Sequence, residues 1–118
     1  MGRTNIPVQV LPSNGGADQN ITWTAGDAAN DHSFVNSGRE LLLMKSDSVG
    51  AKHADVMSVA DEDGRTGDQT LDPDGDQVIA MAGPFFPPVW NQTGGVVNVD
   101  LALATDVFFA VVQFPRVL

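Results

Sequence analysis

The chain has 118 residues, of which 42% are hydrophobic, and a formal net charge of −9; this length suits one domain with a single modest core. It has no cysteine, which excludes disulfides, zinc–thiolate sites and thiol catalysis. Thirteen of its fifteen acidic residues are Asp, and Lys occurs only twice. A surface this acidic is not suited to binding nucleic-acid backbones or anionic membranes. Its charge indicates either solubility through repulsion between copies or a protein that functions in high salt.

Short strand patterns separated by turn residues run along the whole chain. Turn signals recur every eight to twelve residues, which is typical of an antiparallel β-sandwich or a small, jelly-roll-like barrel. We therefore predict one all-β domain over residues 1–118 with about seven or eight strands. The segments predicted as strands are residues 8–10, 20–24, 33–35, 40–45, 52–60, 77–82, 96–102 and 106–114.

Several local features refine this prediction. Residues 1–12 are expected to form an extended N-terminal arm, because prolines bracket the strand at 8–10. The alternation in residues 20–24 predicts a half-buried strand with Ile21 and Trp23 inward. Asp27 is placed to cap a single helical turn. Residues 85–90 are predicted to be irregular because of their two adjacent prolines, and the last two strands are predicted to form a terminal hairpin.

The last strand is apolar on both faces. Alternate side chains of a strand point to opposite sides, and a small β domain normally buries only one of them. The second face must therefore be covered by the protein's own loops, by a second layer or by another subunit. One face carries Val107, Phe109, Val111 and Gln113, and the other carries Phe108, Ala110, Val112 and Phe114.

The stretch from Asp61 to Asp76 holds seven of the fifteen acids. Its alternating Asp72, Asp74 and Asp76 are weak candidates for an irregular Ca²⁺ or Na⁺ site. They do not begin an EF-hand, which requires Gly at the sixth position and Glu at the twelfth, where this chain has Gln and Gly. A solvated loop with Asp-Gly turns is the alternative.

No other pattern indicates a cofactor or a catalytic site. The acids cluster in turns, and His32 and His53 lie in different elements, so at most a weak metal site could form between them. The sequence has no nucleophile elbow, P-loop or dinucleotide fingerprint. The aromatic residues Trp23, Trp90, Phe85 and Phe86 could line a glycan groove, although core packing is the simpler interpretation. We expect no enzyme activity and no cofactor.

A series of short segments, spread in order along most of the chain, carries a resemblance to known proteins. They are residues 20–25 with Asp27, 38–43, 58–61 running into 64–68, 83–85, 90–92 and 109–112. In this order they resemble small proteins encoded in the head-gene region of tailed viruses, which look like capsid auxiliary or decoration proteins. The chain departs from that group by its acids between Asp72 and Asp76 and by the Pro87-Pro88 pair.

The resemblance implies a non-enzymatic virion protein that is made in the host cytoplasm and binds the major capsid protein lattice at the capsid surface. It is expected to act as a trimer or another symmetric oligomer, and its acidity would suit a virus of a salt-loving host. The arm could add a strand to a neighbour's sheet or lie in its own. Alternatives are a carbohydrate- or receptor-binding module that uses Trp90, and a head–tail or tail component. Candidate interface residues are Phe108, Val112 and Phe114 or their opposite-face neighbours Phe109 and Val111, with Ile6, Val8 and Val10 of the arm.

Overall fold

The computed structural model describes residues 2–12, 20–60, 63–64, 66–103 and 106–115. Within these residues the chain forms ten strands and one short helix. In chain order they are β1 (Thr4–Asn5), β2 (Val8–Val10), β3 (Thr24–Ala25), β4 (His32–Val35), β5 (Glu40–Ser46), β6 (His53–Met57), β7 (Gln69–Leu71), β8 (Val78–Ala82), α1 (Pro87–Trp90), β9 (Val96–Leu103) and β10 (Val107–Gln113).

The strands form two sheets. The first sheet has the order β1-β4-β9-β6-β7, and the second sheet has the order β2-β10-β5-β8, with β3 beside the first part of β10. The all-β prediction is confirmed, with ten strands where seven or eight were predicted. The sheets are mixed, because β1 runs parallel to β4 and β2 runs parallel to β10.

The core fills the space between the sheets. In the first sheet, Phe34 lies opposite Val97, and Val56 lies opposite Val99. The ring of Phe85 meets the ring of Phe34 at 5.7 Å between centroids. Sixteen buried hydrophobic side chains among the described residues give the dense packing that a domain of this size needs.

The two long strands β5 and β10 form the centre of the second sheet. They pair antiparallel over seven residues each, from Ser46 opposite Val107 to Glu40 opposite Gln113. Leu42 and Met44 of β5 are fully buried in the core, and Leu43 on the other face is 8% exposed. The middle of β5 is thus buried on both faces.

The predicted terminal hairpin is wrong. β9 pairs with β4 and β6 in the first sheet, whereas β10 pairs with β5 and β2 in the second. The chain therefore changes sheets between the two strands. The predicted turn there includes residues 104–105, which lie outside the described residues. Neighbouring strands with matched patterns are common hairpin partners, but a sandwich also allows consecutive strands to cross between its layers.

Two shorter segments also differ from prediction. In residues 20–24, only Thr24 belongs to a strand, and Ile21 is 44% exposed. Residues 87–90 form a helical turn where irregular chain was predicted. The reason is that proline is favourable at the first position of a helix, where its missing N–H is not needed. The turn capped by Asp27 is confirmed, since the Asp31 N–H donates to the Asp27 carbonyl at 2.8 Å.

The N-terminal arm joins both of the chain's own sheets. β1 extends the first sheet beside β4, and β2 extends the second beside β10. Between them, Ile6 is fully buried and its N–H donates to the Ser33 carbonyl at 2.8 Å. Of the two sequence-level alternatives for the arm, the chain adopts pairing within its own sandwich.

Candidate functional site

The outer face of the second sheet is mostly apolar. Residues that pair directly across antiparallel strands share a face, so the register identifies which side chains point away from the core. Lys45 is the one charged residue among the described strand residues of this face. We define the apolar face as Phe108, Ala110 and Val112 of β10, Leu41, Leu43 and Lys45 of β5, and Ile79 and Met81 of β8.

Exposure increases across this apolar face from β10 to β8. Ala110 has no exposed surface and Leu43 is 8% exposed, whereas Ile79 is 47% and Met81 is 67% exposed. Ala110, Leu43 and Met81 lie side by side in neighbouring strands, and Ile79 is two residues before Met81 in β8. The side of the face at β8 is therefore available to a partner, while the side at β10 is partly covered by the chain itself.

The cover over β10 includes Trp23 and Lys45. The Lys45 ammonium lies 5.0 Å from the centroid of the Trp23 ring and 5.4 Å from that of Phe108. An ammonium this close to an aromatic face is held by the ring quadrupole, and Asp47 lies 3.6 Å from the same nitrogen. The second apolar face of the last strand, β10, is therefore covered in part by the segment around Trp23 of the same chain.

The side-chain amide of Gln9 holds the segment around Trp23, which covers β10, beside β2. Gln9 donates to the Thr22 carbonyl and accepts from the Thr22 N–H, both at 2.8 Å. These two hydrogen bonds to the backbone of Thr22 resemble the pair of backbone hydrogen bonds that two residues exchange between antiparallel strands. Next to them lies a partly open cavity of about 300 Å³, half polar and half apolar. Its lining residues are Gln9, Val10, Leu11, Asn20, Ile21, Thr22 and Val112.

The outer face of the first sheet has a different character, because it carries charges. Arg3 pairs with Asp100 at 2.6 Å. His53 lies 3.2 Å from the carboxylate of Asp55, which also accepts from Thr70 at 2.8 Å. The two outer faces of the sandwich are therefore unlike, with charged pairs on one side and an apolar surface on the other.

His32 is buried in a polar cluster beneath the arm. The Asp27 N–H donates to His32 Nε2 at 2.8 Å, and Nδ1 lies 3.2 Å from the Thr4 carbonyl oxygen, to which it donates. Burial lowers the pKa of His32, against the opposite influence of Asp27 and Asp31. The Asp27 pKa is lowered by hydrogen bonds from Thr4 and Asn30. Because neutral His32 accepts from Asp27 and donates to Thr4 of the arm, it holds the arm in place.

Glu40 is the second buried ionisable group, with 1% exposure. Burial raises its pKa, but hydrogen bonds from Gln113, Ser37 and Arg39 outweigh burial, so the pKa lies below its usual value. The bond from the Gln113 amide is 2.7 Å long and that from the Ser37 N–H is also 2.7 Å. Among the described residues, every buried side-chain nitrogen and oxygen has a partner. Glu40 therefore joins the ends of β5 and β10 and has a structural role.

The structure separates the predicted interface residues into two groups. Ile6, Phe109 and Val111 are fully buried in the core and offer no surface to another chain. Val8 packs partly against the core. The residues that reach the surface are Phe108 and Val112, which are half-buried, Phe114 at 38% exposure and Val10 at 58%.

The structure does not bring the acidic candidates together. In the described part of the chain, no three His, Asp or Glu side chains converge so that they could hold a cation. Asp72, Asp74 and Asp76 are all exposed and lie between β7 and β8. Alternating carboxylates of a loop converge on one ion only when the loop turns sharply around it and a later residue closes the site, as Gly at the sixth and Glu at the twelfth position do in an EF-hand. This loop has neither.

Sequence reasoning missed the exposed side chains of β8. Ile79 and Met81 were placed in a strand but not at a surface, because the alternation there is between large and small apolar residues. A signal was present nevertheless: residues 77–99 contain no charged residue and no histidine, in a chain with net charge −9. Such a run in an acidic protein indicates either a core or a contact surface.

Comparisons with protein-family models, curated proteins and solved structures found no match for this chain. The only helix in the described part of the chain, the four-residue α1, is far too short to cross a membrane.

Proposed function

We propose that this chain is a non-enzymatic capsid decoration or cement protein, which binds the major capsid protein lattice through its apolar face. The observation that carries the proposal is the difference between the two outer faces of the sandwich. One face has a single charged strand residue, and the other has the pairs of Arg3 with Asp100 and His53 with Asp55. The virion setting is supported by the resemblance of its sequence segments to tailed-virus head proteins.

Burial of the apolar face would supply the binding energy. Completely burying one Leu, Ile or Met side chain is worth about 1.5–3 kcal/mol, and Ile79 and Met81 of this face are still 47% and 67% exposed. Phe114, which directly follows β10, adds a further side chain that is 38% exposed. A few such side chains at the centre of a contact can carry most of its affinity. The charged outer face and the exposed aspartates would then point to solvent.

Co-sedimentation with capsids tests the proposal. Capsids of the virus that encodes this chain, stripped of it, are mixed with the purified protein, and the copies bound per lattice site are counted. We expect a fixed number per site. Val112→Lys and Phe114→Lys are expected to weaken binding at least about tenfold, a loss of 1.4 kcal/mol or more, because each places an ammonium in the apolar contact.

Val35→Lys is the matched control, since Val35 is 58% exposed on the charged outer face. It makes the same change of side chain and charge, and binding should be unchanged. Failure of the wild-type protein to bind, or an equal loss with Val35→Lys, would contradict the proposal. Binding at only one vertex per capsid would instead indicate a head–tail component.

The glycan-binding alternative has less support in the geometry. Glycan binding would require the ring of Trp90 to be exposed so that a sugar can stack on it. Trp90 is instead half-buried and packs edge-on against Phe85, with 5.4 Å between ring centroids. The same protein can be titrated with sugars while tryptophan fluorescence is recorded. Saturable quenching would favour this alternative over decoration.

A further inference from the structure

β8 is the last strand of the second sheet, and in the described part of the chain one of its edges has no neighbouring strand. It pairs with β5 along one side, from Ser46 opposite Val78 to Leu42 opposite Ala82, and no other described strand pairs with it. The N–H and C=O groups of an edge strand that point away from its sheet are a template for another strand.

The other sheet edges carry features that prevent such pairing. β1 has two residues and is followed by Pro7, and β2 lies between Pro7 and Pro12. β7 has three residues and is flanked by Asp68 and Asp72. Short length, proline and charge are the usual means by which proteins protect an edge. β8 is longer, with five residues, and has no proline, no charge and no bulge within the strand. Its nearest such residues, Asp76 and Pro84, lie two positions outside its ends.

β8 lies at the start of the segment 77–99, which contains no charged residue. A chain with net charge −9 repels its own copies, so two copies can approach only where few charges face each other. The side chains of β8 at the outer surface are apolar, with Ile79 47% and Met81 67% exposed. The strand is therefore suited to contact with a second, equally acidic copy.

The position of the acids selects the direction of pairing. Asp72, Asp74 and Asp76 all precede β8. Parallel pairing would bring the two acidic segments to the strand spacing of about 4.8 Å. In antiparallel pairing centred on Ala80, the two Val78 residues are already about 14 Å apart along the strands at ~3.4 Å per residue. The acidic segments lie beyond them at opposite ends, farther apart than the screening length of about 8 Å.

We infer that two copies of this chain pair antiparallel through β8, with Ile79 of one copy opposite Met81 of the other. The two second sheets then join into one continuous sheet, and their apolar faces become a single surface on one side. The contact is isologous and closes after two chains. The inference concerns the protein alone and does not depend on capsid binding.

Solution mass is the first test. At micromolar concentration we expect light scattering to give twice the chain mass of 12.5 kDa. Met81→Lys should reduce the mass to that of one chain, because lysines placed on an edge strand oppose pairing. Val35→Lys, with the same added charge on the other outer face, should keep the double mass. A wild-type mass of one chain, or equal behaviour of the two variants, would overturn the inference.

Cross-linking tests the register and does not depend on the stability of a lysine variant. Because the chain has no cysteine, Ile79→Cys and Met81→Cys each introduce one thiol. Directly opposite residues have Cβ atoms about 4.5–5.5 Å apart, close enough for a disulfide, whereas diagonal ones are about 7–8 Å apart. A mixture of the two proteins should therefore oxidise to linked pairs faster than either protein alone. Equal rates in the mixture and in the separate proteins would contradict the pairing.

The two proposals can fail separately. Val112→Lys that keeps the double mass yet loses capsid binding would support both proposals, because Val112 lies on β10, away from the edge of β8. A wild-type protein with the mass of one chain that still binds capsids would contradict pairing alone. Pairing of the wild-type protein without any capsid binding would leave the inference in place and contradict the proposed function.

Discussion

Two buried ionisable side chains show how single residues stabilise this fold. Glu40 is buried as a carboxylate because Gln113, Ser37 and Arg39 all donate to it, which offsets the loss of hydration. His32 is buried as the neutral form, because one ring nitrogen accepts from Asp27 and the other donates to Thr4. Burial therefore favours the neutral form of His32, whereas for Glu40 the donated hydrogen bonds outweigh burial and favour the carboxylate.

Glu40 gives a pH-dependent prediction. Its folded-state pKa lies below the ordinary value of 4.5, so its stabilisation is fully present above that value and is lost as pH falls through the folded-state pKa. Glu40→Gln should reduce the free energy of unfolding at pH 7 by about 1–3 kcal/mol and flatten its pH dependence below pH 4.5. Chemical denaturation at pH 3–7 measures both effects.

Asp72→Asn is the matched control for that experiment, because it removes a carboxylate that is exposed. Its unfolding curve should stay within about 0.5 kcal/mol of the wild-type curve. A Glu40→Gln variant with unchanged acid sensitivity would show that other carboxylates cause the loss of stability in acid.

At the scale of elements, the N-terminal arm holds the two sheets together. β1 and β2 are too short to be stable alone, yet each extends a different sheet, and Ile6 enters the core between them. The arm is thus stabilised by burial more than by strand pairing. This explains why a segment with two prolines, which sequence patterns describe only as extended, is an integral part of the sandwich.

Ile6→Ala is expected to lower the free energy of unfolding by about 2–5 kcal/mol, the usual cost of emptying a fully buried Ile site. Ile21→Ala removes the same atoms from a side chain that is 44% exposed. This control should change stability by about 0.5 kcal/mol or less. Thermal or urea unfolding of the pair measures the difference, and equal effects would mean that the arm is not anchored by Ile6.

The elements differ in how far sequence patterns predict them. β10 is predicted well, because a run of β-branched and aromatic residues has few alternatives to a strand. β5 is predicted from its short apolar run of Leu and Met residues, which is followed by turn residues. The alternation of β9 puts Val97, Val99 and Leu101 on one face, and the structure shows that this face is buried. The pairing of β9 with β10 is predicted wrongly, since local pattern does not show when a chain crosses between sheets. Residues 20–24 alternate as a strand does but lie mostly outside the ladders.

At the scale of the molecule, charge and apolar surface are arranged on different sides. Acidic residues occupy the turns and the outer face of the first sheet, as with Asp55 and Asp100, while residues 77–99 carry none. Self-repulsion among the aspartates opposes the compact state, and salt reduces it by shortening the screening length.

Stability should therefore increase with salt. We expect the Tm to rise between 0.01 and 0.5 M NaCl, by about 4 °C for each 1 kcal/mol of repulsion removed. Replacing Asp72, Asp74 and Asp76 together by Asn should raise the Tm at low salt and reduce this dependence. Replacing the same three by Glu keeps the charge and serves as the control. Calorimetry measures all three proteins, and an equal salt dependence in the Asn variant would contradict this account.

By itself the sequence determined the all-β class, the central strands and the absence of thiol chemistry, because these depend on local patterns and on residue types. The tertiary structure decided which of the two apolar faces of β10 enters the core, where the arm lies, and that Asp72, Asp74 and Asp76 are all exposed. It also decided that β8 has no strand neighbour on one edge among the described residues, with Ile79 and Met81 exposed. These properties depend on contacts between residues far apart in the chain, and strand periodicity does not encode which strand will be the neighbour.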